Sequence, residues 1–252
     1  MTTLTLLIIL ITTLVTSFIS GIFGMAGGII LMGVLAGLVS VAMAMIIHGG
    51  IQMFANGYRA YLLRASINWR VFWIYSGGAA IGVAALMTFV ALVNWRPDKQ
   101  TLYFLLGLTP LLIWLPKERL NLDIQRPRHA VFAGFGVQGL NTLAGVAGPL
   151  LDLFFVRTDM TRQQTVATKS VTQALSHAIK IGFWTVPVVT AAGWSAMPPL
   201  WLFAAAIPLS MLGTRLGKSV LERMTDVNFR HWMKGLVTAI GCVLLLRAAG
   251  LY

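Results

Sequence analysis

Hydrophobic residues run in long blocks along this chain, with apolar stretches at residues 4–20, 71–93, 101–115, 129–144, 197–214 and 235–249. Blocks of about 17–25 apolar residues are the length of a helix that crosses a bilayer. A second pattern is laid over the first: polar residues at helical spacing in otherwise apolar sequence. His48, Gln52, Asn56 and Arg59 form one set, and Lys169, Gln173, His177 and Lys180 form another. At about 100° per residue, each set falls within an arc of roughly 80°, so its members share one helix face.

The two sets are copies. Gly24-Met25-Ala26-Gly27-Gly28 returns 121 residues later as Gly145-Val146-Ala147-Gly148-Pro149, and each polar set follows its glycine segment at the same offset. The halves therefore predict the same elements. An apolar helix (4–22; 129–144) runs into a Gly break, and a shorter apolar piece follows (29–38; 149–156). A polar-striped helix comes next (42–63; 164–183), then two further spans (70–93 and 101–115; about 191–214 and 231–249). This divides the chain into a first transmembrane repeat at 1–115, a cytoplasmic linker at 116–128 and a second repeat at 129–252.

Composition agrees with a membrane protein. Only 10% of the 252 residues are charged and 58% are hydrophobic, against about 25% charged in soluble domains. The formal net charge of +12 would suggest nucleic acid in a soluble protein. Here no basic domain stands apart from the apolar blocks, so the charge is assigned to loops beside anionic lipid and no nucleic-acid partner is expected. Residues 1–20 lack a basic start and lead into the first Gly break, which separates them from a signal peptide. Cys242 is the only cysteine, which excludes an intramolecular disulfide and a cysteine metal site.

Charge also discriminates between topologies. If each Gly break is crossed once, the basic residues near loops divide eight against nine, and no orientation is favoured. If each break is a hairpin turn, they divide fourteen against three, with Arg96, Lys99 and Arg247 on the poorer side. The second split obeys the positive-inside rule. It gives each half an odd number of crossings, so the halves are inverted, with loop 64–70 inside and its uncharged counterpart near 185–191 outside. Leu150–Val156 is too short for a full crossing, which favours a re-entrant hairpin. The fold expected is an all-α polytopic membrane protein of two inverted repeats, each a Gly-broken re-entrant hairpin plus three transmembrane helices. Trp69, Trp95, Trp114, Trp184, Trp194 and Trp232 fall near the proposed span ends, where interfaces are expected.

Broken helices in duplicated halves mark the binding sites of secondary transporters. Gly24, Gly27, Gly28, Gly145 and Gly148 let the backbone leave helical geometry. Pro149 suits the first turn of the helix that restarts. Two such N-termini converging at the midplane would suit an anion. The competing reading is plain helix packing, which is accepted for Gly33/Gly37, Gly78/Gly82 and Gly213/Gly217.

In the stripes, Gln52, Asn56, Gln173 and His177 lie too deep to reach an interface and are candidates for orienting cargo. Arg59, Lys169 and Lys180 would attract it, although Arg59 and Lys180 could instead snorkel from helix ends. Asp152 has two readings: it satisfies free N–H groups of its own helix, or it carries protons together with His177. No HExxH, P-loop, GxSxG or acidic cluster occurs, so neither an enzyme nor a cofactor or metal is expected. Residues 1–97 contain no carboxylate, which disfavours a sodium site built on acids there.

The length, the two-fold Gly motif (Gly21 to Gly28; Gly139 to Pro149) and the polar helix after each motif make the chain similar to the sulfite exporter TauE/SafE family over nearly its whole length. It departs from the family pattern at Ile29–Gly33, where a Pro is frequent, and at Pro149, where a third Gly is frequent. The resemblance implies movement of sulfite or organosulfonates across the inner membrane, commonly as efflux. The residues themselves lead to a small anionic substrate held between inverted halves in a lipid bilayer, and do not reach sulfur. A passive anion channel and a non-transporting membrane partner protein are the alternatives, and a homodimer is compatible with all three.

Overall fold

A computed structural model describes residues 2–23, 26–95, 97–116, 120–155, 157–221, 223–224 and 226–251, with the side chains of all of these but 162, 221 and 226–231. Gly24 and Met25, the start of the first break, lie outside the described residues, as does the side chain of His231. Among the described residues the regular structure is entirely helical. The ten α-helices are α1 (Thr3–Phe23), α2 (Ala26–Leu38), α3 (Val41–Leu62), α4 (Trp69–Val93), α5 (Lys99–Leu108), α6 (Pro127–Ala144), α7 (Gly148–Phe154), α8 (Arg162–Ala192), α9 (Leu200–Leu221) and α10 (Asp226–Ala248). Three stretches, Thr3–Phe23, Trp69–Val93 and Trp194–Val220, are long and apolar enough to cross a membrane. Leu4, Ile11, Trp73, Ile81 and Leu212 on these helices are each about half exposed or more, an apolar surface suited to lipid rather than water.

Local sequence explains most of the boundaries. Ser40 caps α3 by accepting from Met43 N at 3.4 Å. Thr161 and Gln164 form a reciprocal capping box at the start of α8. Gly145, at φ +81°, ends α6 in the left-handed region that a side chain disfavours.

Two spans differ from the sequence expectation. The 101–115 span is a ten-residue helix followed by a 3-10 segment at Thr109–Trp114, where Pro110 removes a backbone donor. The polar helix expected to stop at 183 runs on to Ala192 through Pro187, so the uncharged turn lies at 193–199 rather than near 185–191. Within an apolar environment the alternative to a helix is an unsatisfied backbone, and a single proline does not outweigh that. Trp184 consequently sits inside that helix and not at an interface. It is 3% exposed, and its indole N–H donates to Thr142 O at 2.9 Å.

Lipid tails are as apolar as leucine, so close packing rather than hydrophobic burial holds such helices together. The glycine pairs supply it. A Cβ at Gly78 or Gly82 on α4 would strike the backbone at Val131 or Phe135 on α6. A Cβ at Gly213 or Gly217 on α9 would strike α1 at Leu14, Phe18 or Gly21. Rising numbers meet rising numbers in both interfaces, so α4 runs parallel to α6 and α9 parallel to α1. α8 runs with α4 as well, because Asn68 N bonds Thr168 Oγ1 at 3.0 Å and Tyr75 Oη lies 2.8 Å from Ser176 Oγ. The short turns at 63–68 and 193–199 then point α3 and α9 the opposite way. Each short helix folds back on its predecessor. Gly27 at the start of α2 lies against Thr16 and Ser20 of α1, and the end of α7 meets Ile124, whose N donates to Phe154 O at 2.8 Å.

Candidate functional site

A cavity of about 540 Å³ lies between the polar helices α3 and α8, with walls from α1, α6, α7, α9 and α10. Its α8 wall runs from Thr165 to His177, about 18 Å of helix at 1.5 Å per residue. Seven of the eight stripe residues line it: His48, Gln52, Asn56, Arg59, Lys169, Gln173 and His177. Gly28, Gly148 and Asp152 line it as well.

Because α3 and α8 run in opposite directions, residues at matching sequence offsets do not meet. Arg59 and Lys169 are near the adjoining ends of their helices, one at the end of α3 and the other at the start of α8. His48 and Lys180 meet at the inner end instead. The Lys180 Nζ donates to His48 Nδ1 at 3.0 Å and to Gly145 O at 2.8 Å. That leaves His48 Nε2 to donate to Gly28 O at 3.1 Å. One chain of bonds therefore ties the second break, at Gly145, to the helix after the first, at Gly28.

Gly49 makes this approach possible: a Cβ there would lie 2.7 Å from Ile181 Cγ1 and 3.2 Å from Lys180 Cε. Lys180 is 0% exposed and does not line the cavity, so it neither snorkels nor faces an open path. Of the other break residues, Gly27 packs on α1, Gly145 packs on Met32, and Pro149 is buried in the first turn of α7.

The cavity walls carry polar groups of three kinds. Some are occupied. Asp152 forms an ion pair with Lys169, with side chains 21% and 27% exposed. The carboxylate thus meets α8 rather than the N–H groups of its own helix, and α7 has no side-chain cap. Others are half-occupied: Asn56 donates to Gln52 O at 2.9 Å and keeps its carbonyl oxygen free among the described residues. The third kind is unpartnered. His177 Nδ1 and Asn141 Nδ2 are buried without a hydrogen-bond partner, and the guanidinium of Arg59 has no ion pair or hydrogen bond among the described residues. The His177 ring stands edge-on to His48, with centroids 5.6 Å apart. A buried amide donor such as Asn141 Nδ2 is normally satisfied, so its presence beside a void, with a cation at Arg59 on the α3 wall, points to a ligand that accepts hydrogen bonds.

A family model for the sulfite exporter TauE/SafE family matches residues 9–244, and so spans both breaks and both polar helices. The chain belongs to this family. No curated protein and no solved structure matches it. As a TauE/SafE member it is a membrane permease of a transporter family, which agrees with the apolar spans and with a cavity that carries polar groups from both halves.

Asn141 was not among the residues singled out from the sequence, although a signal for it exists. Gln138 and Asn141 stand one helical turn apart on an apolar helix, and Ser17 and Ser20 occupy the positions 121 residues before them. Ser17, Ser20 and Asn141 all line the cavity. The duplication therefore extends upstream of the breaks into α1 and α6.

Proposed function

We propose that the protein is a secondary transporter that exports a small sulfur-containing oxyanion, such as sulfite or an organosulfonate, across the inner membrane by alternating access. The observation that carries this reading is the cavity between α3 and α8, where the Arg59 guanidinium and the buried donor Asn141 Nδ2 have no partner among the described residues. A charge inside a bilayer costs at least about 2.5–3.5 kcal/mol, and an anionic cargo would offset that cost for Arg59. Membership of the TauE/SafE family supplies the sulfur chemistry.

Two inverted repeats, 1–115 and 129–252 joined by the linker 116–128, account for the architecture. α1 lies beside α9 as α6 lies beside α4, and α3 faces α8 across the centre. Matched as α1 with α6, α3 with α8 and α4 with α9, the helices of each pair run in opposite directions, which supports the inversion. The folding back of α2 and α7 supports re-entrant hairpins. The cavity walls include the ends of α1 and α3 and the start of α8, beside loops rich in Arg and Lys, so this conformation faces the cytoplasm. The tie from Gly145 through Lys180 and His48 to Gly28 closes the opposite end. Alternation requires that tie to break or to move as one body with the breaks.

The test is flux of labelled sulfite, sulfate, a sulfonate, acetate and chloride in proteoliposomes, with and without a pH gradient. Selective, saturable flux of a sulfur oxyanion, lost in Gln173→Ala and His177→Ala, is the expected result. Flux that never accumulates cargo against its gradient would identify a passive channel. Absence of flux from folded protein, with function intact in both variants, would identify a non-transporting partner.

A further inference from the structure

The two cations near the cytoplasmic end of the cavity are treated differently. Arg59 on α3 has no partner among the described residues, whereas Lys169 on α8 holds Asp152. Among the described residues that line the cavity, Asp152 is the only carboxylate. It is carried by α7, the short helix that restarts after the second break, and is therefore placed by the same backbone feature that shapes the site. The pair is not sealed in protein. Both side chains remain about a quarter exposed and both face the cavity, so an anion entering there can reach the ammonium that Asp152 occupies. A carboxylate oxygen and an oxyanion oxygen satisfy an ammonium in the same way.

We infer that Asp152 sets affinity and specificity: it is a resident carboxylate that the transported oxyanion must displace from Lys169. The inference rests on the anion reading of the cavity given above. Its first consequence is arithmetic, since the apparent affinity of cargo is reduced by the fraction of Lys169 that is free. Its second is selective. A simple carboxylate such as acetate offers Lys169 nothing that Asp152 does not already supply, so the exchange yields no gain. An oxyanion with three oxygens can take Lys169 and keep its remaining oxygens for other donors of the cavity wall, so the exchange favours it.

The experiment measures KM by flux and Kd by calorimetry, for sulfite and for acetate. The proteins are the wild type, Asp152→Asn, Lys169→Gln and the double variant. Asp152→Asn is expected to lower KM and Kd for sulfite about fivefold and to narrow the preference for sulfite over acetate. Lys169→Gln is expected to raise KM, and in its background the effect of Asp152→Asn should vanish, because there is no ammonium left to release.

An unchanged KM in Asp152→Asn, or the same fivefold gain without Lys169, overturns the inference while leaving anion transport standing. Loss of pH-driven accumulation at unchanged Kd makes Asp152 a proton carrier and overturns it too. Should Asp152→Asn fail to fold, Asp152→Ser is put through the same measurements, and failure of both assigns the pair to structure alone. Wild-type protein that neither moves nor binds any of these anions defeats the anion reading itself, and this inference with it.

Discussion

The two ends of the cavity are built from the same kinds of residue and do opposite things with them. At the inner end, Lys180 and His48 are fully enclosed, and their polar atoms are spent on each other and on the carbonyls of Gly28 and Gly145. At the outer end, Arg59 has no ion pair or hydrogen bond among the described residues, and Lys169 is held by a carboxylate that is itself open to the cavity. A buried cation saturated by neutral acceptors is a structural tie. A cation with no partner, or with an exchangeable one, is available for binding. Partner and exposure, not residue type, separate the two roles.

The sharpest way to break this comparison is at the inner end. Lys180→Met leaves two buried acceptors, His48 Nδ1 and Gly145 O, without their donor. Stability is expected to fall by about 3 kcal/mol, read as a lower melting temperature in detergent, with flux lost. A variant that melts with the wild type would show that the tie holds nothing.

Gly145→Ala comes next. It forces a side chain to φ +81° and puts a Cβ 2.8 Å from Met32 Sδ, for an expected loss of about 2 kcal/mol in the same assay.

At the outer end the effect should move from stability to binding. Arg59→Gln is expected to melt within about 0.5 kcal/mol of the wild type and to raise KM for the transported anion about tenfold, equivalent to about 1.4 kcal/mol. A large loss of stability with unchanged KM would reverse the assignment of the two ends. The smallest change expected is at Gly57 on α3, where a Cβ meets nothing within 4 Å. Gly57→Ala should raise stability by about 0.5 kcal/mol through helix propensity and leave flux unaltered, which controls for any general sensitivity of α3.

Much of the frame was legible in the order of residues. Apolar blocks identified the membrane class, the Gly segments marked where helices stop, and the stripes marked the faces that line the cavity. The misplaced boundaries have opposite causes: Pro110 removes a backbone donor where α5 gives way to a 3-10 segment, whereas α8 continues past its expected end. The polar helix expected to end at 183 passes through Pro187 to Ala192, because an apolar surrounding leaves an interrupted backbone no other partner. Trp184, beside that expected end, reads as an interface residue and is in fact packed against Thr142 O.

The duplication, the class of fold and the family follow from sequence because they are properties of periodicity and composition, which survive without coordinates. The partner of each cation does not follow. Matching offsets make His48 the counterpart of Lys169 and Arg59 that of Lys180, but a counterpart is not a contact, and the antiparallel helices join His48 to Lys180 and leave Lys169 to Asp152. Only the tertiary structure decides this: the charge pattern predicts that the halves are inverted, but which groups come within bonding distance depends on the register at which the helices pack.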